Sequence, residues 1–136
     1  MSDLNGNCLC GAVSITLQEV KAEVSVCHCD MCRRWGGSAF MGVSGGAFRV
    51  KGEDHVTVYT SSDWAERAFC KACGSNLYYR YVPGDHYSFQ AGLFSDADAL
   101  SMSEQIFIDE KPDYYSFADD TPKLTGAEVK AKYGVG

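Results

Sequence analysis

The chain has 136 residues, 46% of them hydrophobic, which suits one domain with a real core and excludes a multidomain assembly. A formal net charge of −6, with no strong basic patch, speaks against nucleic acid as a partner. Seven cysteines are an odd number, and Met1-Ser2-Asp3-Leu4 shows no basic or apolar leader pattern, which argues against a disulfide framework and for metal or redox chemistry in a reducing compartment. No apolar run approaches the roughly 18 residues that span a bilayer. A cytoplasmic protein with no membrane partner is expected, and no residue pattern sets its oligomeric state. Half of the 18 acidic residues fall between Asp96 and Glu128, as expected for a solvated acidic face. Arg33, Arg34, Arg49, Lys51, Arg67, Lys71 and Arg80 lie instead around the cysteine motifs.

Asn5-Gly6-Asn7 are turn formers, and Cys8-Leu9-Cys10 in extended backbone would place two sulfurs on one face. Val13, Ile15 and Leu17 alternate and predict a strand leaving that half-site. A second short strand, Val24-Ser25-Val26, would deliver Cys27. Asp30 is placed to cap a helical turn through Trp35 that Gly36-Gly37 stop. Residues 38–43 and 48–51 read as strands broken by Gly45-Gly46, and 55–60 as another. Cys70-Lys71-Ala72-Cys73-Gly74 predicts a tight knuckle whose glycine takes a positive φ. Residues 77–81 and 87–91 flank the turn Pro83-Gly84-Asp85, Ser95–Asp98 would start a helical turn, and 105–109 predict a strand. Thr125-Gly126-Ala127-Glu128 is a capping box opening a short C-terminal helix. The sum is a mainly β, antiparallel fold with few short helices, in a single domain over 1–136.

Cys27-His28-Cys29-Asp30-Met31-Cys32 puts three thiols within six residues, a claw for one metal ion. Cys8 and Cys10 complement Cys70 and Cys73 as two bidentate halves. Joined by one ion they make a closed set of four thiolates, which is a structural role. Thiolates also hold iron–sulfur clusters, but a small domain without a redox-partner signature favours zinc. The claw then has either an open position for water or substrate, or a distant fourth ligand such as His55 or His86. Both histidines read more simply as ordinary strand or turn residues. His28 is expected to point away from the sulfurs, either behind them or on the surface.

Gly6-Asn7-Cys8-Leu9-Cys10-Gly11-Ala12-Val13, Cys27-His28-Cys29-Asp30-Met31-Cys32-Arg33 and Phe69-Cys70-Lys71-Ala72-Cys73-Gly74-Ser75-Asn76-Leu77 resemble the three signatures of the glutathione-dependent formaldehyde-activating enzyme family, whose domain centromere protein V shares. Gln105 through Tyr115 looks like that family's C-terminal segment, with Gln105 where many members carry His and Tyr114 where they carry Trp. The resemblance implies an Mss4-like β fold with two zinc ions. Cys8, Cys10, Cys70 and Cys73 would hold the structural ion, and Cys27, Cys29 and Cys32 the catalytic one. It also implies that a thiol such as glutathione adds to formaldehyde or a similar small aldehyde, giving an S-hydroxymethyl adduct, with carbon–sulfur lysis as the reverse.

A peptide carboxylate on such a thiol would find Arg33 and Arg34 beside the claw. Trp35, Tyr78, Tyr79 and Phe89 read either as pocket wall or as plain core. Two other readings remain open. One is a redox thiol enzyme of the same fold, which needs a free cysteine. The other is a zinc-stabilised binding module without catalysis.

Overall fold

Alternating apolar side chains build the first strands. In the computed structural model, which describes residues 3–95 and 100–134, β2 (Ser14–Gln18) buries Ile15 and Leu17 and leaves its other residues half-buried. β1 (Leu4–Asn7) pairs antiparallel with one side of it and β5 (Ala47–Lys51) with the other. The expected turn at Asn5–Asn7 is therefore a strand. Thr16 Oγ1 donates to Asn5 Oδ1 across the pair at 2.9 Å, and Gly6 is needed because a Cβ there would lie 2.4 Å from the Leu93 carbonyl oxygen. Turn-forming residue types have been used to make room, not to turn.

The described residues group into two compact units, one from 1–22 and 42–100, the other from 23–41 and 101–136. Besides the small sheet, the first unit holds an antiparallel ladder. β6 (Val56–Ser62) pairs with β7 (Ala65–Cys70), β7 with β8 (Asn76–Tyr81), and β8 with β9 (His86–Gln90). Gly42 and Val43 of β4 (Phe40–Val43) pair with β9. β7 was not expected from the sequence, because Glu66 and Arg67 blur its alternation. Arg67 is buried, with its Nε donating to Ser61 Oγ at 3.2 Å and its guanidinium 5.0 Å from the Tyr79 ring centroid. Ile15, Leu17, Val43, Leu77 and Phe89 form the centre of this unit's core.

In the second unit, β10 (Ser101–Ile106) runs parallel to both β3 (Glu23–Cys27) and β11 (Lys123–Leu124). The fold is mainly β with mostly antiparallel pairs, as expected, and these two parallel pairs are the exceptions that the sequence pattern does not show. Periodicity shows which face a residue takes but not which way a distant partner runs. β10 also starts and stops earlier than the strand expected at 105–109, since Phe107 adopts a left-handed φ of 55° and Ile108–Glu110 form a 3-10 turn. Two helices complete the unit, α1 (Asp30–Gly36) and α2 (Gly126–Tyr133), the second opened by the anticipated capping box at Thr125 and Glu128. The helical turn expected over Ser95–Asp98 falls mainly outside the described residues. No helix among the described residues is long and apolar enough to cross a membrane.

Candidate metal centres

Two knuckles in the first unit bring four thiols together. Cys8 and Cys10 lie in a turn, not in the extended backbone expected. Gly11 N–H donates to Cys8 O at 3.0 Å, with Gly11 at a φ of 81°. The second knuckle repeats the device, Gly74 N–H donating to Cys70 O at 2.7 Å with Gly74 at a φ of 79°. Leu9 N–H reaches across to Ser75 Oγ at 3.0 Å and ties the two together. Cys8 and Cys10 sulfurs are 3.7 Å apart, Cys10 and Cys70 sulfurs 3.8 Å, and all four lie within 4.8 Å of one another. A zinc–sulfur bond of about 2.3 Å makes a tetrahedron with sulfur edges of about 3.8 Å. The donor set therefore fits zinc in spacing as well as in chemistry.

Electrostatics favours a cation among these sulfurs. Ser75, through its hydroxyl 3.2 Å from Cys73 Sγ and then its backbone, pulls the Cys73 thiol down to about 5. The Ala12 backbone favours the Cys10 thiolate, yet desolvation and the three neighbouring sulfurs push that thiol up to about 11. Four thiolates cannot share this space without positive charge among them.

The second unit presents the other three thiols. β3 delivers Cys27, and Cys29 serves as the N-cap of α1, its sulfur accepting the Cys32 N–H at 3.3 Å. The cap expected at Asp30 is thus one residue early. Asp30 sits inside the first turn and pairs with Arg34 at 2.8 Å, while its own N–H donates to Glu110 Oε1 at 2.9 Å. Cys27, Cys29 and Cys32 sulfurs lie within 4.8 Å of one another, and no further His, Cys, Asp or Glu among the described residues joins them. The Cys29 and Cys32 sulfurs, followed by burial, raise the Cys27 thiol well above the ordinary range. His55 lies beside Asp54, and His86 is 3.3 Å from Ser44 Oγ. Neither belongs to a thiol set.

His28 is fully buried, and what it touches was not foreseen. Its Nε2 lies 2.9 Å from Gln105 Oε1 and its Nδ1 2.7 Å from the Tyr115 hydroxyl. Gln105 spends its amide N–H on Thr121 Oγ1 at 3.1 Å, so its oxygen faces His28 and accepts from Nε2–H. Nδ1 is then left to accept the Tyr115 O–H. Burial, with the positive charges of Lys111 and Arg33, pushes the His28 pKa below its usual value. Lys111 Nζ donates to the carbonyls of Pro112 and Tyr115 and lies 5.2 Å from the Tyr115 ring centroid. Only the resemblance of 105–115 to a family segment could have drawn attention to these residues, since local spacing carries no sign of them.

Arg33 is turned inward, its Nε donating to His28 O at 3.1 Å, whereas Arg34 is largely exposed in its pair with Asp30. Trp35 packs on Phe40 at 5.5 Å, and Tyr78 joins Tyr87, Phe48 and the fully buried Phe89 in the first unit's aromatic core. Tyr114 is exposed, in contrast to the buried Gln105. All seven cysteines belong to the two sets, so none is spare for the redox reading.

The comparisons with known proteins agree. The sequence profile of the family described as glutathione-dependent formaldehyde-activating enzyme matches residues 3–110. A Schizosaccharomyces pombe protein named as an uncharacterized lyase is 40% identical over 131 residues, which is 95% of this chain and 96% of its own. A crystal structure of a Rhodobacter sphaeroides protein is similar with a TM-score of 0.55 and 27% identity, covering 68% of this chain and 89% of its own. That likeness and the strand architecture agree with the β fold that the motifs implied. On the profile and the identity together, the chain belongs to the glutathione-dependent formaldehyde-activating enzyme family.

Proposed function

We propose that this chain is a zinc-dependent lyase acting on a carbon–sulfur bond, with two zinc ions in one functional domain over 1–136, working in the cytoplasm. Cys8, Cys10, Cys70 and Cys73 hold a structural ion, and Cys27, Cys29 and Cys32 a catalytic one. The observation that carries the reading is the inequality of the two sets, four converging sulfurs in one and three in the other. The lyase name of the S. pombe relative supports the same class of reaction.

In the synthetic direction, a thiol such as glutathione adds across the C=O bond of formaldehyde or a similar small aldehyde. A carbon–sulfur bond forms, the thiol proton leaves sulfur, and the carbonyl oxygen gains a proton to become the hydroxymethyl group. Zinc bound in the claw supplies Lewis acidity, which lowers the proton affinity of an incoming thiol. The rest falls to this chain's residues. Cys29 and Cys32 are held by the first turn of α1, and Arg33 braces the backbone between Cys27 and Cys29 through His28 O. Arg34, paired only at the surface with Asp30, and Arg33 supply positive charge for a peptide carboxylate.

Cobalt substitution tests the thiol step. A new thiolate-to-cobalt band on adding glutathione is expected, accompanied by S-hydroxymethylglutathione signals in the proton NMR spectrum when formaldehyde is present. A cobalt spectrum indifferent to glutathione, from a protein that also leaves the adduct equilibrium unaccelerated, refutes the proposal.

A further inference from the structure

Exposed sheet edges attract other strands unless something blocks them, and charge, shortness or a covering contact are the usual blocks. Three edge strands here are blocked in these ways. β1 is met by a bridge between Gly6 and Phe94. β5 carries the exposed cations Arg49 and Lys51. β11 is two residues long and begins with Lys123. The fourth, β6, has none of them among the described residues. It pairs on one side only, runs for seven residues, and reads Val-Thr-Val-Tyr-Thr-Ser-Ser without charge or proline. Val58 and Tyr59 are 46% and 64% exposed.

The ladder with β7 determines which backbone groups of β6 face outward. Lys71 N–H donates to His55 O at 2.8 Å, and register pairs Val56 with Cys70, Thr57 with Phe69, Val58 with Ala68 and Tyr59 with Arg67. Hydrogen-bonded and non-bonded pairs alternate in an antiparallel ladder. Thr57 and Tyr59 therefore spend their backbone groups on β7, while Val56, Val58 and Thr60 turn theirs to the open edge. Val56 N–H is already used by Glu53 O. What remains is the Val56 carbonyl and both groups of Val58 and Thr60.

We propose that β6 is a homodimer interface, two copies pairing antiparallel edge to edge about a two-fold axis at Val58. The pattern of free groups is self-complementary in that register. Each Val58 exchanges both bonds with its counterpart, and each Thr60 N–H reaches the Val56 carbonyl of the other copy. Side chains meet without charge, Val58 against Val58 and Val56 against Thr60, pairs that suit a sheet. A second copy fits because in this one register every free N–H of the edge finds a carbonyl of the other copy, and only the Thr60 carbonyl, opposite the Val56 N–H already held by Glu53 O, is left to water. Glu53, Asp54 and Asp63 bracket the uncharged run, so copies of this acidic chain approach with mutual repulsion that salt screens. The dimer tightens as ionic strength rises.

Sedimentation equilibrium on the full zinc-loaded chain tests this. Wild type is expected at twice the chain mass, with dissociation favoured in low salt. Val58→Pro removes an outward N–H without touching the β7 ladder, and should sediment as a monomer. Val58→Lys and Val58→Glu place like charges opposite each other on the axis, so each alone should be monomeric, and a mixture of the two should recover the dimer mass. A wild type that stays monomeric at every concentration and salt overturns the proposal. So does a dimer that survives Val58→Lys, or a Lys and Glu mixture that stays monomeric while each variant keeps the wild-type circular dichroism spectrum.

Discussion

His28 stands between two thiols of the claw in sequence, yet its ring is tied into a hydrogen-bond chain and not into the thiol set. Its two ring nitrogens are both satisfied, one by Gln105 and the other by Tyr115, and Gln105 is itself held by Thr121. A buried imidazole that loses one partner must bear the desolvation of that nitrogen, about 1–3 kcal/mol. Tyr115→Phe should therefore destabilise the protein by roughly that amount, read as a lower urea midpoint at unchanged slope. It should also weaken zinc in the claw, measured by chelator competition, because Cys27 and Cys29 are positioned through the same backbone. Gln105→Ala should cost at least as much, since it leaves Nε2–H unpaired and opens a void besides. Equal stability and zinc affinity in Tyr115→Phe would show that this hydrogen bond contributes nothing. The sequence displays all three residues, but the bonds join positions 28, 105 and 115. Nothing local marks a glutamine as the partner of a histidine so far along the chain.

Among the elements, those governed by local chemistry were legible and those governed by distant partners were not. Alternation at Val13, Ile15 and Leu17, the left-handed Gly37 after α1 and the capping box of α2 all follow from neighbours in sequence. The Cys70–Gly74 knuckle does too. β1 was misread because Asn-Gly-Asn is ordinarily turn chemistry, and only the Leu93 carbonyl close to Gly6 explains its use in a strand. The N-cap of α1 was misplaced by one residue because a sulfur competes with a carboxylate there, which propensity does not weigh. Two element-level substitutions check these accounts. Thr125→Ala removes the side chain that accepts Glu128 N–H at 3.2 Å and should cost about 1 kcal/mol in the stability of α2. Gly52→Ala should cost more. Gly52 leaves β5 with a φ of 87°, an unfavourable conformation for alanine by about 1–2 kcal/mol, and a Cβ there would lie 2.0 Å from the Ala12 carbonyl oxygen. Thermal melts of the two variants should rank in that order.

At the scale of the whole molecule, the division of seven thiols into four and three was legible from spacing, because two bidentate halves complement each other and a tridentate run does not need them. The grouping of the four-thiol set in one compact unit and the three-thiol set in the other was not, since it depends on where the chain folds back. That grouping sharpens what metal removal must do. Structural zinc contributes folding free energy of about 10 kcal/mol in small systems, and on the proposed reading an ion joining Cys8 and Cys10 to Cys70 and Cys73 would close a long loop of the first unit. Cys73→Ala removes one of the four clustered thiols, the one whose thiolate Ser75 supports, so the first unit should lose its cooperative melt. Cys29→Ala should act differently. It deletes one of the three clustered thiols, which is also the sulfur that caps α1, but it leaves the four-sulfur set whole. Elemental analysis should then find close to two zinc ions in wild type and close to one in Cys29→Ala, with far-ultraviolet circular dichroism largely kept. Equal unfolding by both substitutions would mean that the two ions share one structural task, and the claw would lose its claim to a separate, reactive role.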